Sequence, residues 1–145
     1  MLRFEKDTFL YSRYLVKNMR EEISNWWEQS KRDLISAENS LNSGDFYLCA
    51  FMCQQAVEKG LKALLMIKTK IRTFSTHSLV ELGKKAGISE DLLKDLRKLS
   101  PEYIISRYPD LTESLPYENY DIEIAKEQLE RAGRVFKWLS TQMKE

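Results

Sequence analysis

The stretch GDFYLCAFMCQQAVEKGLKALL, residues 44–65, reads as the start of one long helix. Phe46, Cys49, Ala50, Cys53, Ala56, Val57, Leu61 and Leu64 recur at steps of three and four, the broad apolar stripe of a helix buried over much of its circumference. Gly44 can take the left-handed conformation that ends a preceding helix, and Asp45 is the expected N-cap of the new one. The helix is expected to run to about Lys68. Ala50, Ala56 and Ala63 are small enough to let a neighbouring helix come close. Gln54, Gln55, Glu58, Lys59 and Lys62 interrupt the stripe. The longest and most apolar helix belongs at the centre of the fold.

Outward from it, Trp27, Leu34, Ala37 and Leu41 mark a helix over residues 24–43, with Ser24 as the expected cap and Ser43-Gly44 as the stop. Residues 1–21 are expected to form an N-terminal arm or short helix, and Phe4, Phe9, Tyr11 and Tyr14 argue against a solvated tail. The bundle domain proper is expected over residues 22–145. Beyond the central helix, residues 68–76 form a basic linker. Ser78 and Glu81 then have capping-box spacing for a short helix that Gly87 ends. Ser89 caps a fourth helix carrying Leu92, Leu93, Leu96 and Leu99, and Pro101 sets off a separate segment to Arg107. Residues 109–120 form a loop. Asp121 caps a last helix to about Met143, with Ile122, Ala125, Leu129, Ala132, Phe136 and Leu139 on its buried face. No strand alternation and no internal repeat stands out. The expected fold is all-α, an up-and-down antiparallel bundle of four to five helices with an N-terminal extension.

Composition agrees with this reading. A chain of 145 residues predicts one domain, and Gly and Pro total only 8, which disfavours a loop-rich all-β fold. With 23 basic and 22 acidic side chains, net charge does not mark a nucleic-acid or membrane binder. Cys49 and Cys53, with one distant His, cannot make a zinc site of about four ligands, so they read as buried thiols in a reducing compartment. No apolar run reaches the roughly 18 residues of a membrane span, and the N-terminus lacks a signal-peptide h-region. The expected address is the cytoplasm. Charge is uneven along the chain. Residues 68–98 carry eight Lys/Arg against four Asp/Glu, and residues 109–130 carry seven acids against one Lys. These are either two solvated faces, complementary across a dimer, or a basic lip that attracts phosphate.

Residues 44–65 also resemble the core signature of the HEPN superfamily. The matching residues are Gly44-Asp45, Ala50, Gln54-Gln55-Ala56, Glu58-Lys59 and Lys62-Ala63. Further blocks follow in the family's order: Thr76, His77 and Leu79 at a helix start, Arg107-Tyr108-Pro109-Asp110 at a turn, and Ala125 and Ala132 on the last helix. The helix WWEQSKRDLISAENSL resembles the family's opening helix, so the resemblance spans about residues 24–142. It implies a four- or five-helix bundle, often a homodimer, often encoded beside or fused to a minimal nucleotidyltransferase. Some members are RNase toxins restrained by that partner. Others are thought to bind nucleotides or to act as adaptors. No cofactor is implied.

RNase-active members share an Arg-x(4–6)-His motif near the last helices, in which His moves the proton and Arg holds the scissile phosphate without a metal. This chain has one His. Arg72 and His77 have the spacing but precede the third helix. Arg107 sits nearer the usual place, yet the chain reads Thr112, Glu113 and Ser114 at that spacing, with no His. His77 is therefore either a helix-start residue bonded to backbone or packed near Tyr108, or a phosphate-binding or catalytic group. Arg107 either pairs with Asp110 or presents its guanidinium to phosphate. Glu58 and Lys59 are either an ion pair or, with Lys62, Arg107 and Tyr108, part of a nucleotide-facing groove. Trp26, Trp27 and Trp138 read as packing anchors rather than base-stacking platforms. The reading favoured is a nucleotide- or partner-binding module without catalysis. Its rival is a metal-independent endoribonuclease toxin of a toxin–antitoxin pair, using His77 with Arg72 or Arg107.

Overall fold

The computed structural model describes residues 8–144 except 73 and 112, with side chains from residue 18 onward. Among the described residues six helices follow one another: α1 (Thr8–Ser43), α2 (Phe46–Thr69), α3 (Leu79–Ala86), α4 (Glu90–Leu99), α5 (Glu102–Ile105) and α6 (Ile122–Met143). Two short 3-10 turns, Pro109–Leu111 and Pro116–Asn119, connect α5 to α6. No strand occurs among the described residues, as the all-α expectation requires.

The first correction concerns α1. It starts by Thr8 and runs unbroken through Ser24, which caps nothing. Gly44 is the first Gly or Pro of the chain, so no residue before it breaks a helix. Residues 1–7 of the expected arm lie outside the described residues. At Gly44 the chain turns back, with φ at +85° and amide bonds from Gly44 to the Leu41 carbonyl (3.2 Å) and from Asp45 to the Ser40 carbonyl (2.9 Å). The second correction is Asp45. Its carboxylate does not cap α2; it accepts from the Ser43 hydroxyl at 3.2 Å instead.

The other caps form where the spacing predicts them. Ser78 accepts from the Glu81 amide at 3.2 Å, Ser89 from Leu92 at 3.5 Å and Asp121 from Ile124 at 2.8 Å. The capping box expected at α3 is only half made: the Ser78 amide donates to the Thr76 hydroxyl at 3.1 Å, not to the Glu81 carboxylate. Gly87, at φ +79°, ends α3.

The central placement of α2 holds, since it packs against α1, α3, α5 and α6. Cys49, Ala50, Cys53, Ala56, Val57, Leu61, Leu64 and Leu65 are all buried. The small residue that matters most for close approach is Gly60, where a Cβ would fall 2.7 Å from Leu139 Cδ1 and 2.9 Å from Ser30 Oγ. Three helices meet there. Trp27 stacks on Phe136 at 5.6 Å between centroids, tying α1 to α6. On α6, Ala125, Ala132, Phe136 and Leu139 are buried as expected. Ile122 is 43% exposed, because the first residue of the helix lies beyond the packed length. Asp95 of α4 receives a two-pronged bond from Arg134 of α6 at 2.9 and 3.0 Å.

Gln54, Glu58 and Lys62 do not lie on a solvated face of α2. All three are buried. Buried charge must be paired, and where their partners come from defines the candidate site.

Candidate functional site

Glu58 is the hub. One turn before it on α2, Gln54 donates its Nε2 to Glu58 Oε1 at 3.0 Å; one turn after it, Lys62 Nζ reaches Oε2 at 3.1 Å. The third partner comes from the linker before α3, where His77 Nδ1 lies 3.1 Å from Oε1 and 3.2 Å from Oε2. An ionised carboxylate paired with a lysine only accepts, which assigns the imidazole proton to Nδ1. Nε2 lies 3.1 Å from the Tyr103 hydroxyl, across the stacked rings. The cap bond at Ser78 and the α3 helix behind it place His77 here, and a 3.5 Å contact from Gln54 Nε2 to the His77 carbonyl holds the backbone. His77 thus bonds a side chain of α2, and the ring packed on it is Tyr103.

Tyr103 links this buried cluster to Arg107. Its ring stacks on His77 at 4.0 Å between centroids, 14° from parallel. Arg107 lies one turn on and donates its Nε to the Tyr103 carbonyl at 2.7 Å. The guanidinium carbon sits 4.6 Å from the Phe51 and Tyr103 ring centroids and 4.9 Å from that of Tyr108. Three aromatic rings hold the cation by their quadrupoles. The expected pairing with Asp110 is not made, and among the described residues no carboxylate pairs with Arg107. Arg107 also lines a cleft of about 370 Å³ between the Gly44–Tyr47 turn and the segment from Ser106 to Tyr117. Phe46, Pro109 and Tyr117 give it apolar and aromatic walls, and Tyr117 is 62% exposed.

The remaining candidates go elsewhere. Lys59 turns to α1 and pairs with Asp33, which also accepts from Gln29 Nε2 at 2.8 Å. Arg72 reaches Glu22 of α1 at 3.7 Å. Glu58 and Lys62 are too buried to line an open groove, and they act behind His77. Lys62 Nζ also lies 5.8 Å over the Trp26 ring. The sequence reading did not single out Tyr103 or Phe51. The spacing of Tyr103 to Arg107, one helical turn, was the available signal.

Cys49 and Cys53 are free and fully buried. The bond shared with Cys49, together with burial, raises the Cys53 thiol well above its usual range. No group of three or more His, Cys, Asp or Glu among the described residues could hold a metal. No helix among them is long and apolar enough to cross a membrane.

Comparison with known proteins agrees with the fold. A family model described as HEPN domain matches residues 23–142. TT1696 from Thermus thermophilus is 28% identical, with a TM-score of 0.77, over 83% of this chain and 97% of its own. ST0689, described as an archaeal HEPN homologue, is 31% identical, with a TM-score of 0.69, over 83% of this chain and 96% of its own. Among curated proteins no match is found.

Proposed function

Since this chain belongs to the HEPN family, we propose that it is a nucleotide-binding module that grips a phosphate with Arg107 and performs no catalysis of its own. One observation carries this reading. Arg107 is a cation without a carboxylate partner among the described residues, held by three rings at the edge of an aromatic-walled cleft. Such a group is prepared for an anion, because binding adds charge–charge attraction without breaking an existing ion pair. Tyr117 and Pro109 offer flat surfaces to a base.

The geometry of His77 speaks against the RNase reading. A general acid or base needs a ring nitrogen within reach of the substrate. Here Nδ1 is committed to Glu58, and His77 is not among the residues lining the Arg107 cleft. Homodimerisation and pairing with a minimal nucleotidyltransferase belong to the same proposal. Exposed Leu115 in the cleft wall, with Ile104 and Leu111 exposed earlier in the chain, supplies apolar surface for such a contact.

Calorimetric titration of nucleoside monophosphates into wild type, Arg107→Ala and His77→Ala tests it, beside an RNA cleavage assay in EDTA. Binding lost in Arg107→Ala and at most weakened in His77→Ala, with no cleavage, is expected. Cleavage that persists in EDTA and vanishes in His77→Ala would make the protein a metal-independent RNase.

A further inference from the structure

A second cleft, of about 490 Å³, lies between α5, the Pro116–Asn119 turn and the start of α6. It is built differently from the Arg107 cleft. Two carboxylates line it, Glu102 and Glu113, and no Lys or Arg does. Its chain segment, residues 109–130, carries seven acids against one Lys. Ile105 and Ile124 give it apolar walls, and each is 38% exposed.

Glu102 is the unusual residue. It is only 5% exposed, and its Oε2 is buried with no hydrogen-bond partner. Tyr120, Gln128 and the charge of Arg131 act on the carboxyl from nearby, but Gln128 gives its own amide to the Lys98 carbonyl at 3.0 Å. Arg131 nonetheless bonds Gln128 Oε1 at 3.0 Å and Glu127 at 3.8 Å rather than Glu102. A glutamine of the same shape would fill this position without a buried charge. A carboxylate oxygen left unsatisfied in the interior costs stability, so its presence asks for a ligand.

We infer that this cleft binds a cationic group on an apolar stem, the chemistry of an alkylamine or of a lysine side chain, with Glu102 as the acceptor. The cation supplies the bond that Oε2 lacks. Its methylene stem lies against Ile105 and Ile124, and Glu113 adds attraction at the rim. The volume falls in the range of ordinary small-ligand sites. The site is separate from the Arg107 cleft and takes the opposite charge, so it stands or falls independently of the nucleotide reading.

Amide chemical-shift titration of the full chain with n-butylamine, at constant ionic strength and neutral pH, tests the inference. The controls are n-butanol, the neutral counterpart, and N-acetyl-lysine methylamide, the same cation carried on a peptide backbone. The expected result is shifts at Glu102, Ile105, Tyr120 and Ile124 with n-butylamine, at least tenfold weaker with n-butanol, and about tenfold weaker in Glu102→Gln. Tighter binding of the lysine derivative than of n-butylamine assigns the site to a partner's side chain; the reverse assigns it to a free amine. Either result supports the cation site. Equal shifts with n-butanol and n-butylamine in wild type would overturn it, whether or not the variant folds. So would undiminished n-butylamine binding in Glu102→Gln.

Discussion

Tyr103 lies face to face with His77, ring centroids 4.0 Å apart, and the same tyrosine ring carries the Arg107 guanidinium at 4.6 Å. One aromatic side chain therefore joins the buried Glu58 cluster to the cation at the cleft. Behind Tyr103, each partner fixes the next: Lys62 and Gln54 fix Glu58, Glu58 fixes the imidazole, and the imidazole supports the ring. His77 stands behind the ring that carries Arg107 and does not itself line the cleft.

Truncating Tyr103 should disturb Arg107 while leaving the bundle intact. A cation–π contact contributes about 0.5–2 kcal/mol, so Tyr103→Ala should weaken nucleotide binding about 2- to 30-fold. Tyr103→Phe keeps the ring and should bind within about threefold of wild type, since only the contact to His77 Nε2 is lost. Parallel calorimetric titrations of the two variants measure the difference. Equal loss in both would mean that the hydroxyl matters and the stack does not.

Glu58 and Lys62 form a buried pair, side chains 6% and 8% exposed. Removing one partner strands the other charge. Glu58→Ala should cost about 3–5 kcal/mol in urea unfolding, whereas the double variant Glu58→Leu/Lys62→Met should recover most of the loss. A double variant no more stable than Glu58→Ala would show that packing, and not stranded charge, sets the cost.

Two glycines on long helices should respond with opposite sign. A Cβ at Gly60 would meet Leu139 and Ser30, so Gly60→Ala should destabilise by about 1–3 kcal/mol. At Gly133 a Cβ meets nothing within 4 Å, so Gly133→Ala should stabilise by about 0.5–1 kcal/mol through helix propensity. Denaturant midpoints of both variants check the pair.

These contacts divide by how far the sequence could show them. Caps at Ser78, Ser89 and Asp121 are local, and spacing alone locates them. Asp45 has the same signature, but the neighbouring Ser43 hydroxyl binds its carboxylate. The early start of α1 was signalled only by the lack of a breaker before Gly44, because its first turns show no clean apolar stripe. Glu58 and Lys62 were visible as interruptions of a stripe, not as its buried centre. Lys59, the next residue after Glu58, points about 100° around the helix and so meets α1 instead. Tyr103 sits on a four-residue helix after Pro101, too short for periodicity to orient, and only tertiary packing brings it to His77.

Glu102 should leave its mark on the pH dependence of stability. Burial raises its carboxyl above the ordinary value of 4.5, against weaker opposing effects of Tyr120, Gln128 and Arg131. The folded state then holds the proton more tightly than the unfolded chain does. Its contribution is fully present below 4.5 and is lost as pH rises through the folded value. Glu102→Gln removes that decline. The stability advantage of Glu102→Gln over wild type should grow from about pH 4 upward and then level off, as read from urea midpoints. A difference independent of pH would contradict the raised carboxyl.

The most direct measurement is an amide chemical-shift titration of wild type with a nucleoside monophosphate. The account predicts shifts gathered at Phe46, Tyr47, Arg107 and Tyr117, around the Arg107 cleft, and their disappearance in Arg107→Ala. Shifts centred on His77 and Lys62, or none at saturating nucleotide, would contradict it.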